Sequence, residues 1–239
     1  MIVLAIECAT RSASIALLED DKVIGEVYLG AGRHHAEVLI PAIEKLFSLT
    51  TMTLDDTDLL ACTKGPGSFT GVRIGISTIK GLALAAEKPI VGVSTLKVLA
   101  MNLRPSRNLI CSLLDARKDQ VYSGLYRIGE NGLPEPMADD RLDDIETLIG
   151  EHSNETIDFI GDGAIKYQDK ILEGSSSATI LNNDRINNPS ASALGLIAFD
   201  HYKRGLTDNP LTLAPVYLRL SEAELKKSSL RTGLTRIKN

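Results

Sequence analysis

The stretch Lys64–Lys80, KGPGSFTGVRIGISTIK, constrains the fold of this chain more than any other segment. Proline fixes its own φ angle and glycine permits positive φ, so Gly65–Gly67 predicts a tight turn. Ser68 or Thr70 follows as a candidate helix N-cap, because a side-chain oxygen there can accept a free backbone N–H. The sequence therefore predicts a helix over Val72–Ala86.

Short apolar segments lie on both sides of this turn and helix. Leu59–Thr63 precedes them and Ile90–Val93 follows, and each has the length and composition of a buried strand. Strand, turn, helix and strand in this order predict a βαβ unit with two parallel strands.

The predicted helix Val72–Ala86 is apolar or small on nearly all sides, with Arg73 and Lys80 as its only charges. A surface helix normally has one apolar stripe opposite a charged face. Two alternatives remain open: a helix enclosed within its own domain, and a helix that packs on the sheet with one face and meets a partner protein with the other. Small residues that suit close helix approach are Gly75, Ser77 and Gly81.

Composition indicates an ordinary globular protein. The chain has 239 residues, enough for one large or two small domains, and it has no Trp, so the core is expected to be aliphatic. Its three cysteines lie in apolar segments, which favours buried thiols in a reducing cytoplasm. The N-terminus is expected to be a strand rather than a signal peptide, and no segment is expected to be long or apolar enough to span a membrane.

Charge argues against nucleic-acid binding by this chain alone. The net charge is −5; residues 221–239 carry five basic side chains against Glu222 and Glu224, a net +3, which leaves −8 for the rest. An acidic body repels a polyphosphate. We predict that the basic tail is a solvated end rather than a nucleic-acid arm.

The predicted elements divide the chain into two halves. Each half begins with short consecutive strands and continues with helices and strands. This weak internal repeat predicts an α/β fold of two duplicated domains, at 1–104 and 105–220, followed by the tail 221–239. The main predicted elements are strands Ile2–Cys8, Ala13–Glu19, Lys22–Leu29, Leu109–Leu114 and Gln120–Ile128, and helices His35–Ser48 and Ser190–Arg204.

Each half has a strand-to-strand turn that resembles the phosphate loops of actin-like and sugar-kinase-like ATPases. Those loops use an Asp with glycines, whereas the first turn here has Glu7 and neither turn has a glycine. A plain turn is therefore the alternative at each place. The candidate nucleotide-facing residues are Glu7, Thr10, Asp115 and Arg117, with Gly161 and Gly163 in a segment that resembles the adenosine loop of the same superfamily.

Five segments in the same order resemble the TsaB (YeaZ) family. The most specific is Gly65–Gly75, GPGSFTGVRIG. The others are 33–41 (RHHAEVLIP), 91–96 (VGVSTL), 114–117 (LDAR) with Val121 and Tyr122, and 215–219 (PVYLR). The resemblance extends over nearly the whole chain and implies the actin-like, Hsp70 and sugar-kinase (ASKHA) fold.

The resemblance also implies a role in forming N6-threonylcarbamoyladenosine at position 37 of tRNAs that read codons beginning with A. TsaB-like proteins pair with a TsaD-type transferase and a TsaE-type ATPase, and they are also found as homodimers. ATP is used by that complex, and tRNA is expected to be held only through it. No cofactor is expected on this subunit, and no membrane contact is expected.

TsaD-like enzymes hold a metal through a HxxxH pair that falls on Thr95 and Leu99 here. Leucine has no donor atom and threonine is a weak ligand, so the resemblance implies a non-catalytic paralogue with no metal and no catalytic residues. The alternatives are a stand-alone ATPase of the actin-like fold, or a glycoprotease-like peptidase.

The expected interface with the transferase, or with a second copy, lies on the two predicted helices of the first half. Its candidate residues are His35, Val38, Leu39, Ala42, Val72, Arg73, Ile76, Ile79, Lys80 and Ala83.

Overall fold

A computed structural model describes residues 1–30 and 35–219, without the side chain of His35. The first sheet has the strand order β3-β2-β1-β4-β5. β1 pairs antiparallel with β2 and parallel with β4, and β4 pairs parallel with β5, as the βαβ prediction requires. Its elements are β1 Ile2–Glu7, β2 Ala13–Glu19, β3 Lys22–Leu29, α1 His35–Thr50, β4 Leu59–Thr63, α2 Phe69–Ala86 and β5 Ile90–Val93.

The second sheet repeats this arrangement in the order β11-β10-β6-β7-β8, with β9 also pairing with β7. β6 is antiparallel to β7 and parallel to β10, as β1 is to β2 and β4. The predicted α/β class of two similar halves is confirmed. The remaining elements are α3 Thr95–Ala100, a 3₁₀ turn Met101–Leu103, β6 Leu109–Arg117, β7 Gln120–Ile128, β8 Pro134–Pro136, β9 Arg141–Asp144, α4 Ile145–Glu151, β10 Ile157–Ile160, α5 Asp162–Lys166, α6 Gln168–Gly174, β11 Ala178–Ile180 and α7 Ala191–Lys203.

Helices cover both faces of the first sheet. Because side chains alternate along a strand, Leu4 and Ile6 of β1 join the core beneath α1 and α2, while Val3 and Ala5 join the core beneath α7. All four side chains are fully buried. The sheet is therefore a rigid support that holds α1 and α2 side by side on one outer layer.

Two helices tie the halves together. α3 follows the first sheet in the chain, yet Leu96 and Leu99 pack with Ile110 and Tyr126 of the second. α7 follows the second sheet but packs on the first, where Leu18 lies against Gly195. The predicted domain boundary at residue 104 stays a prediction. Each of the two segments contributes a helix to the core of the other.

The length and composition of α2 correct one expectation. Its 18 residues are long and apolar enough for a membrane span by those two criteria alone. The core helix of a globular domain passes the same test, and one stripe of α2 is packed against the first sheet. Packing in the core accounts for the apolar composition of that stripe.

Candidate functional site

Helix α2 begins at Phe69, three residues before the predicted start, because Ser68, one of the two predicted caps, accepts the N–H of Gly71 at 3.2 Å. The turn before it packs against the β1–β2 turn: the Ser68 amide donates to the Ala9 carbonyl oxygen at 2.6 Å. A Cβ on Gly71 would lie 2.1 Å from the Cys8 carbonyl oxygen, so only glycine allows this approach. The glycine-rich motif therefore closes one side of the β1–β2 turn.

The structure decides which stripe of α2 faces inward, and it corrects part of the predicted interface. Four of its residues, together with two from α1, pack in the core beneath the helices, so they cannot contact a partner. They are Val72, Ile76, Ile79 and Ala83, with Leu39 and Ala42. The apolar spacing of these residues therefore marks the side of each helix that packs on the first sheet.

The outward face of α2 is open and carries small or apolar side chains. Leu84 is 54% exposed, and Ser77, Gly81 and Ala85 are exposed beside it. On α1, Ile40 is 44% exposed. We call this surface, formed by the outward sides of α1 and α2, the α1–α2 face. It has the two-sided character that one reading of the sequence proposed.

Of the predicted interface residues, Arg73 is exposed while Lys80 and Val38 are partly exposed. The side chain of His35 lies outside the described part of the chain. The sequence did not decide which stripe of α2 faces outward, and most of the α2 residues that it offered lie on the buried stripe.

A segment near the C-terminus, which we call the strap (residues 211–217), lies along α2. The rings of Phe69 and Tyr217 stack with centroids 4.7 Å apart, and the Arg73 guanidinium lies 3.7 Å from the Phe69 centroid. Arg73 Nε donates to the Tyr217 hydroxyl at 2.7 Å, and Lys80 Nζ donates to the Leu213 carbonyl oxygen at 3.1 Å. Sequence reasoning missed the strap, because no local pattern signals contacts between residues more than 130 positions apart.

An open groove of about 460 Å³ runs between α2 and the strap. Its lining combines apolar groups with the two cations of α2: Arg73, Ile76, Ser77, Lys80, Leu213, Ala214, Pro215 and Tyr217. The groove continues the α1–α2 face toward the β5 edge of the first sheet.

In the first candidate nucleotide turn, between β1 and β2, the Ala9 backbone donor is already engaged. Glu7 Oε1 accepts the Ala9 N–H at 2.7 Å, and Thr10 Oγ1 lies 3.1 Å from Ser12 Oγ. Glu7 is completely buried, and burial raises the pKa of its carboxyl to about 8. Glu7 therefore binds the Ala9 N–H, a donor that a phosphate would need. Its carboxyl is largely neutral near pH 7.

The second candidate turn, between β6 and β7, is closed by carboxylates in the same way. Asp115 Oδ1 accepts the Arg117 N–H at 2.9 Å and pairs with Lys166, and the Asp115 N–H donates to Asp162 Oδ1 at 2.9 Å. Burial raises the pKa of Asp162, and the hydrogen bond from the Asp115 N–H offsets part of that rise.

The glycines of the predicted adenosine loop are needed for packing. Gly161 has φ 110°, and a Cβ there would lie 2.1 Å from the Leu113 carbonyl oxygen. A Cβ on Gly163 would lie 3.0 Å from that of Leu113. The Gly161 N–H donates to Asn187 Oδ1 at 2.8 Å. Close contact of α5 with β6 explains both glycines without a nucleotide.

The positions expected for a metal pair are inside the core. Thr95 and Leu99 are fully buried, and Leu99 packs with β6. Among the described residues, no group of three or more His, Cys, Asp or Glu side chains is arranged to hold a metal ion. Burial raises the pKa of the Cys62 thiol to about 12 and raises those of Cys8 and Cys111 further, so none of these thiols is an activated nucleophile.

Comparisons with known proteins agree with this geometry. A family model described as TsaD, tRNA N6-adenosine threonylcarbamoyltransferase, matches residues 25–227. The tRNA threonylcarbamoyladenosine biosynthesis protein TsaB of Bacillus subtilis is 34% identical over 229 residues, which cover 95% of this chain and 97% of that protein. The structure of YeaZ from Pseudomonas aeruginosa has a TM-score of 0.77 and 27% identity, covering 91% of this chain and 99% of its own. A ROK hexokinase from Thermus thermophilus, with a TM-score of 0.50 and 10% identity, covers 86% of this chain and 100% of its own and shows the shared ASKHA fold alone.

Proposed function

Since the chain belongs to the TsaB family of tRNA threonylcarbamoyladenosine biosynthesis proteins, as its sequence motifs predicted, we propose that it is a non-catalytic subunit that binds and activates a TsaD-type transferase. The product is N6-threonylcarbamoyladenosine at position 37 of tRNAs that read codons beginning with A. A TsaE-type ATPase completes the complex and uses its ATP. The complex works in the cytoplasm, and tRNA is bound through it rather than by this chain alone.

The observation that carries this proposal is the open α1–α2 face. Contiguous apolar surface that a globular domain leaves exposed marks contact sites for proteins, membranes or ligands. Leu84 and Ile40 are exposed on a layer that the first sheet holds rigidly. Gly81 presents backbone with no side chain near it, since a Cβ there would meet no atom within 4 Å. A partner helix can approach closely at that point.

Activation by docking follows from differential binding. A subunit that binds the competent conformation of the transferase more tightly than other conformations shifts the population toward it. The size of the shift is limited by that difference in affinity, so activity and binding should be lost together in interface variants.

The non-catalytic role is supported by the two turns and by the buried positions 95 and 99. Anionic oxygens of a nucleotide need free backbone N–H groups or cations. Here Glu7 and Asp115 each accept one of those N–H groups from within the chain.

Reconstituted tRNA modification tests the proposal. The transferase, the ATPase and a supply of threonylcarbamoyl-adenylate are combined with unmodified tRNA, with and without this protein, and the nucleoside is measured by mass spectrometry. We expect modification only when this protein is present. Full modification in its absence would remove the activating role.

The variant Asp115→Ala tests, in the same assay, whether the β6–β7 turn takes part in the reaction. This variant should keep most of the activity if it remains folded, because Asp115 holds Arg117 and Lys166 rather than a substrate. A folded variant that still binds the transferase but supports no modification would reveal a chemical role for this turn.

A stand-alone ATPase is the second candidate, and the ASKHA fold is what favours it. We expect isothermal calorimetry with ATP and Mg²⁺ to give no saturable heat for the isolated chain, because both turns are occupied by their own carboxylates. Stoichiometric binding at micromolar ATP would favour the ATPase over the activating subunit.

A further inference from the structure

A small cavity in the second half of the chain takes no part in the proposed function. It has a volume of about 120 Å³ and lies between strands β7 and β9 and the end of α4. An engineered protein cavity of about 150 Å³ holds one benzene molecule. The present cavity is slightly smaller, so it has room for a ligand of about five non-hydrogen atoms.

The floor of this cavity is apolar. Leu148 of α4 and Cys111 of β6 are buried there, and Leu125 of β7 packs beside them in the core of the second half. The Cys111 thiol is 1% exposed and has no hydrogen-bond partner in the described part of the chain. Burial raises its pKa, so the thiol is uncharged. This floor suits a short alkyl chain rather than a polar group.

The rim of the cavity favours a cation over an anion. Arg141 is the one arginine or lysine among the described residues that line it. Its Nε donates to Asp143 at 2.9 Å and its Nη2 donates to Glu151, so its charge is already paired. Asp139 is exposed at the rim and has no cation partner among the residues that the structure describes. An anion therefore finds no unpaired positive charge here, whereas a cation finds two carboxylates.

His152 supplies a further acceptor at the rim. Its Nδ1 lies 3.0 Å from Glu155 Oε1. A carboxylate can only accept a hydrogen bond, so the proton of the neutral ring lies on Nδ1, and Nε2 keeps its lone pair. The cavity therefore combines two carboxylates with an imidazole acceptor, a set that suits a ligand with several N–H donors.

We propose that this cavity binds a primary ammonium ion that carries a short alkyl chain. The ammonium group lies between Asp139 and Glu151, and the chain lies on Leu148 and Cys111. An ammonium group has three N–H donors and one positive charge, which match the acceptors of the rim. A chain of about three carbons fills the remaining volume. This inference does not depend on the proposed function, since none of these residues belongs to α1 or α2.

Charge and burial are both needed for binding. An ion pair with exposed carboxylates contributes little by itself in water. Burial of a short alkyl chain alone is also a small contribution, because few apolar atoms leave the solvent. Together they predict that an alkylammonium ion binds, whereas a neutral or negative molecule of similar shape binds about tenfold more weakly or not at all.

Three probes of similar shape test the class of ligand: propylamine, which is protonated at pH 7, 1-propanol and propionate. Each is titrated into the full chain at low salt, and the methyl NMR signals of Leu125 and Leu148 are followed. We expect propylamine to give saturable shifts with a dissociation constant of about 1 mM or lower, and the other two probes to bind about tenfold more weakly or not at all. Equal responses to the three probes, or no saturable response to propylamine, would overturn the proposal.

Variants at the rim locate the site. Asp139→Asn combined with Glu151→Gln removes both carboxylates and should weaken propylamine binding about tenfold or more. The control is Glu146→Gln, which lies on α4 but pairs with Lys170 outside the cavity, so its affinity should equal that of the wild type. Circular dichroism checks that each protein is folded.

A single variant keeps the test valid if the double variant does not fold. Asp139→Asn alone should weaken binding about threefold, since Asp139 makes no hydrogen bond or ion pair in the described chain that a change could break. Unchanged affinity in the folded rim variants, or an equal loss in the Glu146→Gln control, would show that the cavity does not bind the ammonium ion.

Discussion

Glutamate in place of Ala83 is expected to unfold this protein, while glutamate at the adjacent Leu84 should leave it folded and abolish transferase binding. Both residues lie on α2, one position apart. Ala83 is 1% exposed and packs in the core beneath the helix, whereas Leu84 is 54% exposed on the α1–α2 face. The same change in charge and size therefore meets two opposite environments.

The expected magnitudes follow from burial. An unpaired carboxylate in the core costs several kcal/mol, which is comparable with the ~5–15 kcal/mol that stabilises a typical domain. At Leu84 the carboxylate stays in water in the free protein, so the stability should change by less than ~1 kcal/mol. The free-energy cost of burying this carboxylate appears only when a partner covers position 84.

Thermal unfolding followed by circular dichroism measures the first effect, and calorimetry with the transferase measures the second. Gly150→Glu on α4 is the matched surface control for charge, since a Cβ at Gly150 meets no atom within 4 Å and lies away from α2. A folded Leu84→Glu protein that binds the transferase with wild-type affinity would show that the α1–α2 face is not the interface.

The sequence predicted the first half of the fold well because its signals are local. The Gly65–Gly67 turn, the Ser68 cap and the two flanking apolar strands each follow from short-range stereochemistry, and the structure has all of them. The second half was predicted less completely. Strands β8 and β9 are short and polar, so they carry no apolar alternation; they exist because β7 offers them a long partner.

The outward stripe of α2 could not be chosen from its sequence, because both stripes are apolar or small. Ile76 and Leu84 differ in burial only because the sheet lies beneath one of them. The position of α7 has the same cause: its pattern predicts an amphipathic helix, but only the return of the chain to the first sheet decides what it covers. Long-range contacts such as Phe69 with Tyr217 have no local signal at all.

The buried carboxyl of Glu7 should make the stability of this protein fall as pH rises. Its pKa is about 8 in the folded protein, raised from 4.5 chiefly by burial. The folded state therefore binds this proton more tightly than the unfolded state. The stabilising contribution is complete below pH 4.5, decreases as pH rises, and is lost above about pH 8.

Glu7→Gln removes this dependence while keeping the shape of the side chain. The amide oxygen can still accept the Ala9 N–H, and no charge is left to bury. The variant should match the wild type near pH 4.5 and exceed its free energy of unfolding by a few kcal/mol above pH 8, since each unit of pKa shift corresponds to about 1.4 kcal/mol.

Urea unfolding of both proteins at a series of pH values measures the difference directly, with Glu173→Gln on the exposed side of α6 as the control for the substitution itself. The control should follow the wild-type profile at every pH. A Glu7→Gln protein that is no more stable than the wild type at pH 9 would mean that Glu7 is ionised and solvated in the native state. The Ala9 N–H would then face solvent rather than a buried carboxyl, and the β1–β2 turn would be open to an anion after all. The same titration therefore bears on function, because a closed first turn is one of the observations that support a non-catalytic subunit.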